Sequence, residues 1–227
     1  MVDELKIAGW GGPPEDLSLG EDEVHVWRGT VRASASELRA IRRELPRRER
    51  RAVDADANPK SLAAACFMRR ALLSRYLGTA PGKLRLREDE DGRMRLARAP
   101  ADAPRWDFAW GDTRAVFAIS AARPLAVHLD VIPPDLDVSA LLDEIPAREA
   151  RLAEFLSPAN RARTLAGHHA ERQAERALAA GGGGEGRVER LRLGKRFVAA
   201  LAAEGWEWTP SFWQYGGASP EPEPEDD

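Results

Sequence analysis

Two long helical runs, each fenced in the same way, constrain this chain more than any other feature. Asn58-Pro59 sets an N-cap and a first-turn proline ahead of a run that reaches Leu77 and stops at Gly78. Ser157-Pro158 opens a second run to about Ala180, followed by Gly181, Gly182, Gly183, Gly184 and Gly186, which read as a flexible connection. A capping box of Ser34 and Glu37 predicts a shorter helix with Leu38, Ile41 and Leu45 on one face, ended by Pro46. Strand-like alternation starts at Glu23-Val24-His25-Val26-Trp27. Leu84 and Leu86, then Asp91-Gly92, then Met94 and Leu96 predict a hairpin with a two-residue turn. Further strands are expected over 106–110, 114–120 and 125–132, while 188–193 and 197–201 suit strands or helix. Strands followed by helices, twice over, favour an α+β chain of two comparable halves over one wound parallel sheet.

The organisation expected is an irregular lead-in over 1–22, an N-terminal half over 23–104, a C-terminal half over 105–210, and an aromatic segment with a disordered acidic tail over 211–227. Phe212, Trp213 and Tyr215 are expected to pack back on the body, without a clear final strand. Glu221, Glu223, Glu225, Asp226 and Asp227 alternate with prolines at the end of the chain and read as a solvated tail.

Composition narrows the function classes. With 227 residues, 43% apolar and 31% charged, the chain has enough apolar material for a real core. No apolar run approaches the roughly 20 residues that span a bilayer, and no signal pattern opens the chain, so a cytoplasmic protein off the membrane is expected. A net charge of −3 and the lack of interleaved aromatic and basic residues argue against nucleic acid. Cys66, the single cysteine, lies in an alanine-rich run and reads as a buried small apolar residue. The glycine-rich loop lacks the Lys-Ser/Thr ending of a phosphate-binding loop, and there is no Gly-x-Ser-x-Gly, His-Glu-x-x-His or cysteine pair.

Strand alternation over 125–132 puts His128, Asp130 and Ile132 on one face and Leu125, Val127, Leu129 and Val131 on the other. If His169 on the second long helix approaches that face, two imidazoles and one carboxylate come together, a set suited to a transition metal.

Several stretches, in order, resemble the 4'-phosphopantetheinyl transferase superfamily in its longer, pseudo-duplicated class. Leu45-Pro-Arg-Arg-Glu49-Arg50-Arg-Ala52 is one residue short of the family's Leu-x-x-x-Glu-Arg-x-Arg-Ala, and is followed by the helix end Arg69-Arg70-Ala-Leu-Leu-Ser-Arg-Tyr-Leu-Gly78. Asp91-Gly92-Arg93-Met94-Arg95-Leu96 stands for Gly-Lys-Pro-x-Leu, and Trp106-Asp-Phe-Ala-Trp110-Gly111-Asp112 for Phe-Asn-Leu-Ser-His-Ser-Gly. Pro124-Leu-Ala-Val-His128-Leu129-Asp130 stands for Pro-x-Gly-Val-Asp-Val-Glu, and His169-Ala-Glu-Arg172-Gln173-Ala174 for Trp-x-x-Lys-Glu-Ala.

The resemblance implies two similar α/β halves related by pseudo-twofold symmetry, coenzyme A in the cleft between them, and Mg2+ on its pyrophosphate. It also implies transfer of phosphopantetheine to a serine of an acyl or peptidyl carrier protein, the expected partner of a monomer. Of the family's three carboxylates only Asp130 remains, because His128 and Gln173 replace the others. Asp130 is therefore the expected metal ligand, with Asp130, Arg172 and Gln173 at catalytic positions and Arg70, Arg93, Trp110 and His169 toward coenzyme A. Three readings follow. The first is a diverged relative that recognises coenzyme A or a carrier-protein arm, with ordinary transfer impaired or lost and an auxiliary biosynthetic role. The second is an active transferase with a reduced Mg2+ site, and the third is a metal-dependent enzyme using His128, Asp130 and His169.

Overall fold

A computed structural model describes residues 10–216 other than 16, 101, 143 and 144. The acidic tail and the first nine residues of the lead-in lie outside the described residues. The chain begins with strand β1 (Glu23–Thr30), helices α1 (Ala35–Glu44), α2 (Arg47–Ala55) and α3 (Pro59–Leu77), and the hairpin strands β2 (Leu86–Glu88) and β3 (Met94–Leu96). Strands β4 (Arg105–Gly111), β5 (Arg114–Ser120) and β6 (Leu125–Val131) follow, then helices α4 (Ser139–Leu142), α5 (Ala147–Ala153) and α6 (Pro158–Ala180). Strands β7 (Gly186–Arg192), β8 (Phe197–Glu204) and β9 (Thr209–Tyr215) complete it.

The helix boundaries follow from local chemistry. The Ser34 hydroxyl accepts from the Glu37 N–H while the Glu37 carboxylate accepts from the Ser34 N–H, so two orphan donors of α1 are satisfied. Asn58 accepts from the Ser61 N–H, Pro59 starts α3 without an N–H to lose, and Gly78 leaves the helix at φ +59°, where a side chain would be strained. Pro158 opens α6 in the same way, although Ser157 makes no side-chain capping bond.

Four layers result. In the first sheet the order is β4-β5-β1-β9; in the second it is β6-β8-β7. On β1, Val24 and Val26 face the second sheet, where they meet Val116, Ala118, Leu125, Val127, Leu201 and Trp208 in a shared core. The alternate residue Trp27 faces α3 and packs with Ala65, Met68, Leu72, Phe117 and Ile119. On the far side α6 covers the second sheet. The molecule thus runs helices, sheet, sheet, helix, with β6 between the core shared by the two sheets and the layer under α6.

Three expectations change. The hairpin of β2 and β3 forms, but the strands part at Glu88 and Met94 and the loop is longer than two residues. Asp89 and Arg93 close it, with Gly92 at φ +77°. That geometry suits a type I turn followed by a left-handed glycine rather than a tight two-residue turn. The aromatic segment over 209–215 is a strand: β9 runs parallel to β1 in register from Glu23 opposite Thr209 to Gly29 opposite Tyr215. Its alternation is what places it there, since Phe212 joins the core between the sheets while Trp213 and Tyr215 join the α3 side. The first sheet also draws strands from both sides of the 99–104 segment, because β4 and β5 pair in series onto β1. Of the lead-in, Gly11 bridges to Trp213 and Trp10 packs edge-on against Phe212 at 5.1 Å, so its described part is tied to β9.

Candidate functional site

The expected alternation on β6 is realised. Leu125, Val127 and Leu129 enter the core between the sheets, and Ala126 and Ile132 join the layer under α6, which puts His128 and Asp130 on the α6 side as well. On α6, Ala166, Ala170 and Ala174 recur at helical spacing and meet Ala126, Ala200 and Ala202 of the sheet. Small side chains on both faces let helix and strand approach closely, and that closeness brings His169 to β6.

The result is a compact cluster. His128 Nε2 lies 3.0 Å from Asp130 Oδ1, and His169 Nδ1 lies 2.7 Å from Asp130 Oδ2. The imidazole rings stand edge-on, with centroids 5.7 Å apart. Gln173, one turn beyond His169, places its amide nitrogen 3.2 Å from His169 Nε2. Since that amide nitrogen can only donate, His169 carries its proton on Nδ1, toward Asp130. Burial pushes the Asp130 carboxyl up, but hydrogen bonds from His128 and His169 and their positive field outweigh it, and the group sits below its ordinary value. The side chains of His128, Asp130 and His169 are 31%, 25% and 19% exposed, so a small ligand can reach all three.

The other expected site residues stand differently. Arg172, beside Gln173, is exposed on α6. Arg70 is buried: it donates through Nε and Nη2 to the two oxygens of Glu49 and through Nη1 to the carbonyls of Pro81 and Leu84. Such a guanidinium holds α2 against α3 and the chain beyond, and four of its five N–H donors are engaged within the fold. Arg93 pairs with Asp107, and Trp110 packs at the edge of the α3-side core. His168 turns away from its neighbour His169 and meets Glu171 at 3.2 Å, with Glu171 itself gripped by two bonds from Arg190.

Sequence reasoning passed over Asp107. It is 2% exposed on β4, pairs with Arg93 and Arg95 of the hairpin, and accepts the Val127 N–H of β6 at 2.8 Å. One carboxylate therefore joins the hairpin, the first sheet and the strand that carries His128 and Asp130. Its signal was available as an acid between Trp106 and Phe108, on the strand face opposite to theirs.

Mg2+ is a poor match to this cluster. It demands oxygen ligands, and the cluster offers two ring nitrogens and one carboxylate, with Gln173 turning its amide nitrogen to His169.

An α+β protein with a His-Asp-His cluster between an edge strand and a long helix is the class that fold and site define. Along almost its whole length the chain is similar to the 4'-phosphopantetheinyl transferase HetI of Nostoc sp., at 23% identity over 235 residues, covering 91% of this chain and 98% of that protein. This likeness supports a relationship to the phosphopantetheinyl transferases. No protein-family model matches the chain.

Proposed function

We propose that this protein is a diverged 4'-phosphopantetheinyl-transferase-like protein that recognises coenzyme A or the phosphopantetheine arm of a carrier protein, with ordinary Mg2+-dependent transfer impaired or lost. The observation that carries the reading is the end-to-end likeness to HetI, which leaves no large segment of either chain unmatched. The divergence is argued from the cluster itself: where the resemblance puts three carboxylates, this chain has His128, Asp130 and Gln173. Phosphoryl transfer depends on positioning and on neutralising the diphosphate, and one carboxylate engaged by two imidazoles is a weak holder of a hard cation.

Fold inheritance and activity are separate matters. The two halves in this reading are a pseudo-twofold pair: β1 through α3 to β4 and β5 repeats in β6 through α6 to β7 and β8. In each, the last strand returns antiparallel beside the first. Coenzyme A lies between them, and the protein acts as a cytoplasmic monomer in an auxiliary role in fatty-acid, polyketide or peptide assembly. Among the described residues no helix is long and apolar enough to cross a membrane.

The test is intact mass of apo carrier proteins incubated with this protein, coenzyme A and Mg2+, beside a thermal-shift titration of coenzyme A. A rise in Tm with coenzyme A or with carrier protein, and no phosphopantetheine adduct, is the expected result. An adduct in Mg2+ would establish a working transferase instead, and then Asp130→Asn should abolish turnover. No thermal shift with either ligand would overturn the recognition itself.

A further inference from the structure

The misfit with Mg2+ has a positive side. Each of His128, Asp130 and His169 offers one ligand atom, and these atoms lie within 4.8 Å of one another. We propose that His128, Asp130 and His169 form a binding site for a first-row transition-metal dication of the Zn2+ class. Two imidazole nitrogens and one carboxylate oxygen are the donors such ions favour over Mg2+, and three protein ligands leave coordination positions open. This goes beyond the coenzyme A reading and stands on donor geometry alone.

The supports are of the kind metal centres have. His128 and Asp130 stand two residues apart on one face of a strand whose opposite face is packed in the core, so their spacing is fixed by the sheet. His169 comes from a helix held to that strand by contact between alanines. Gln173 occupies the Nε2 side of His169 and so aims Nδ1 toward Asp130 and the shared space. When Nδ1 ligates, Nε2 carries the ring proton and the Gln173 amide turns over to accept it through Oε1, as an outer partner does for a ligating histidine. The facing ring nitrogens hydrogen-bond the carboxylate. A dication taken up there displaces their protons to the far ring nitrogens, Nε2 of His169 and Nδ1 of His128, so that both ligands stay neutral imidazoles, and its charge is balanced in part by the Asp130 carboxylate.

The experiment uses the full-length protein after dialysis against a chelator. Co2+ is titrated and followed by its visible absorption, and Zn2+ is titrated by calorimetry in buffer with excess Mg2+. One ion per chain is expected, unaffected by Mg2+. His128→Ala and His169→Ala should each weaken binding by at least about tenfold, and Gln173→Ala by about tenfold through misplacement of His169. His168→Ala, which alters a histidine engaged with Glu171, should change nothing and guards against adventitious surface binding. Circular dichroism checks that each variant is folded. Absence of saturable one-to-one binding by the unmutated protein would overturn the site, as would equal affinity in the His128→Ala, His169→Ala double variant. Either result would leave the cluster a plain hydrogen-bonded His-Asp-His network. Because the readout contains neither coenzyme A nor carrier protein, this inference and the proposed function can fail separately.

Discussion

His25 is a histidine that the cluster does not use, and its surroundings make it a pH-sensitive support of the first sheet. Trp27 Nε1 donates to Tyr76 Oη at 2.8 Å, so the Tyr76 hydroxyl proton is left for His25 Nδ1, also at 2.8 Å. His25 is therefore neutral with its own proton on Nε2, 3.4 Å from Glu23, and Trp213 stands edge-on to the ring at 6.1 Å. Burial lowers its pKa, against the raising effect of Glu23. The unfolded chain then binds more protons than the folded one just below the ordinary histidine value. This contribution to stability is complete above the unfolded pKa of about 6.5 and declines as pH falls toward the lower folded value. His25→Asn keeps an acceptor for Tyr76 but cannot charge, so its Tm should fall less between pH 7.5 and 5.5 than that of the unmutated protein. Parallel slopes would refute the account. Tyr76, pushed well above its usual range chiefly by burial, stays a donor throughout. At this scale the sequence was only partly legible. His128 and Asp130 could be put on one face because strands alternate, whereas the pairing of His25 with Tyr76 and of Asp107 with Arg93 and Arg95 depends on chain brought from elsewhere.

Among the elements, those bounded by local chemistry were the ones readable in advance. Caps, prolines and glycines act within a few residues, so α1, α3 and α6 fall where their termini predict. Helix α2 has no such signal beyond Pro46 and is held by contact with α3. Its Glu49, 7% exposed, takes both Arg69 and Arg70. Glu49→Gln should leave two buried guanidinium groups without their counter-charge and cost about 3–5 kcal/mol in urea unfolding. The approach of α6 to β6 is similarly testable. Ala170 is fully buried against the second sheet, and Ala170→Leu should lift the helix, costing about 1–3 kcal/mol. The same substitution should weaken Zn2+ binding by separating His169 from Asp130. If metal affinity is kept while stability falls, the alanine contact does not position the cluster. Gly111 marks another close approach: a Cβ there would meet Val131 Cγ2 at 2.8 Å and Leu129 Cδ2 at 3.0 Å. Gly111→Ala should therefore disturb β6 and lower Tm, measurable by calorimetry.

At the scale of the whole molecule, long-range pairing was the part that local reading could not reach. The aromatic residues near the end of the chain were expected to pack inward, and they do, but as a strand parallel to β1. Nothing around 209–215 states which distant edge will receive it. Trp213 packs into the α3-side core and stands near His25 and Trp27, so Trp213→Ala should cost about 3 kcal/mol and loosen β9. Hydrogen exchange should then rise first along β1, whose outer edge β9 covers; uniform exchange across both sheets would contradict this.

The stitching of β9 onto β1 also sets a clock. On a ribosome adding roughly 5–20 residues per second, β1 emerges on the order of 10 to 35 s before the strand that will cover its second edge. During that interval β5 can arrive and pair, but the other side of β1 keeps its row of backbone donors and acceptors bare, as a template for any extended chain nearby. Nascent chains stalled or cut short before residue 209 keep that open edge indefinitely. Premature termination thus leaves the first sheet with a bare edge at β1.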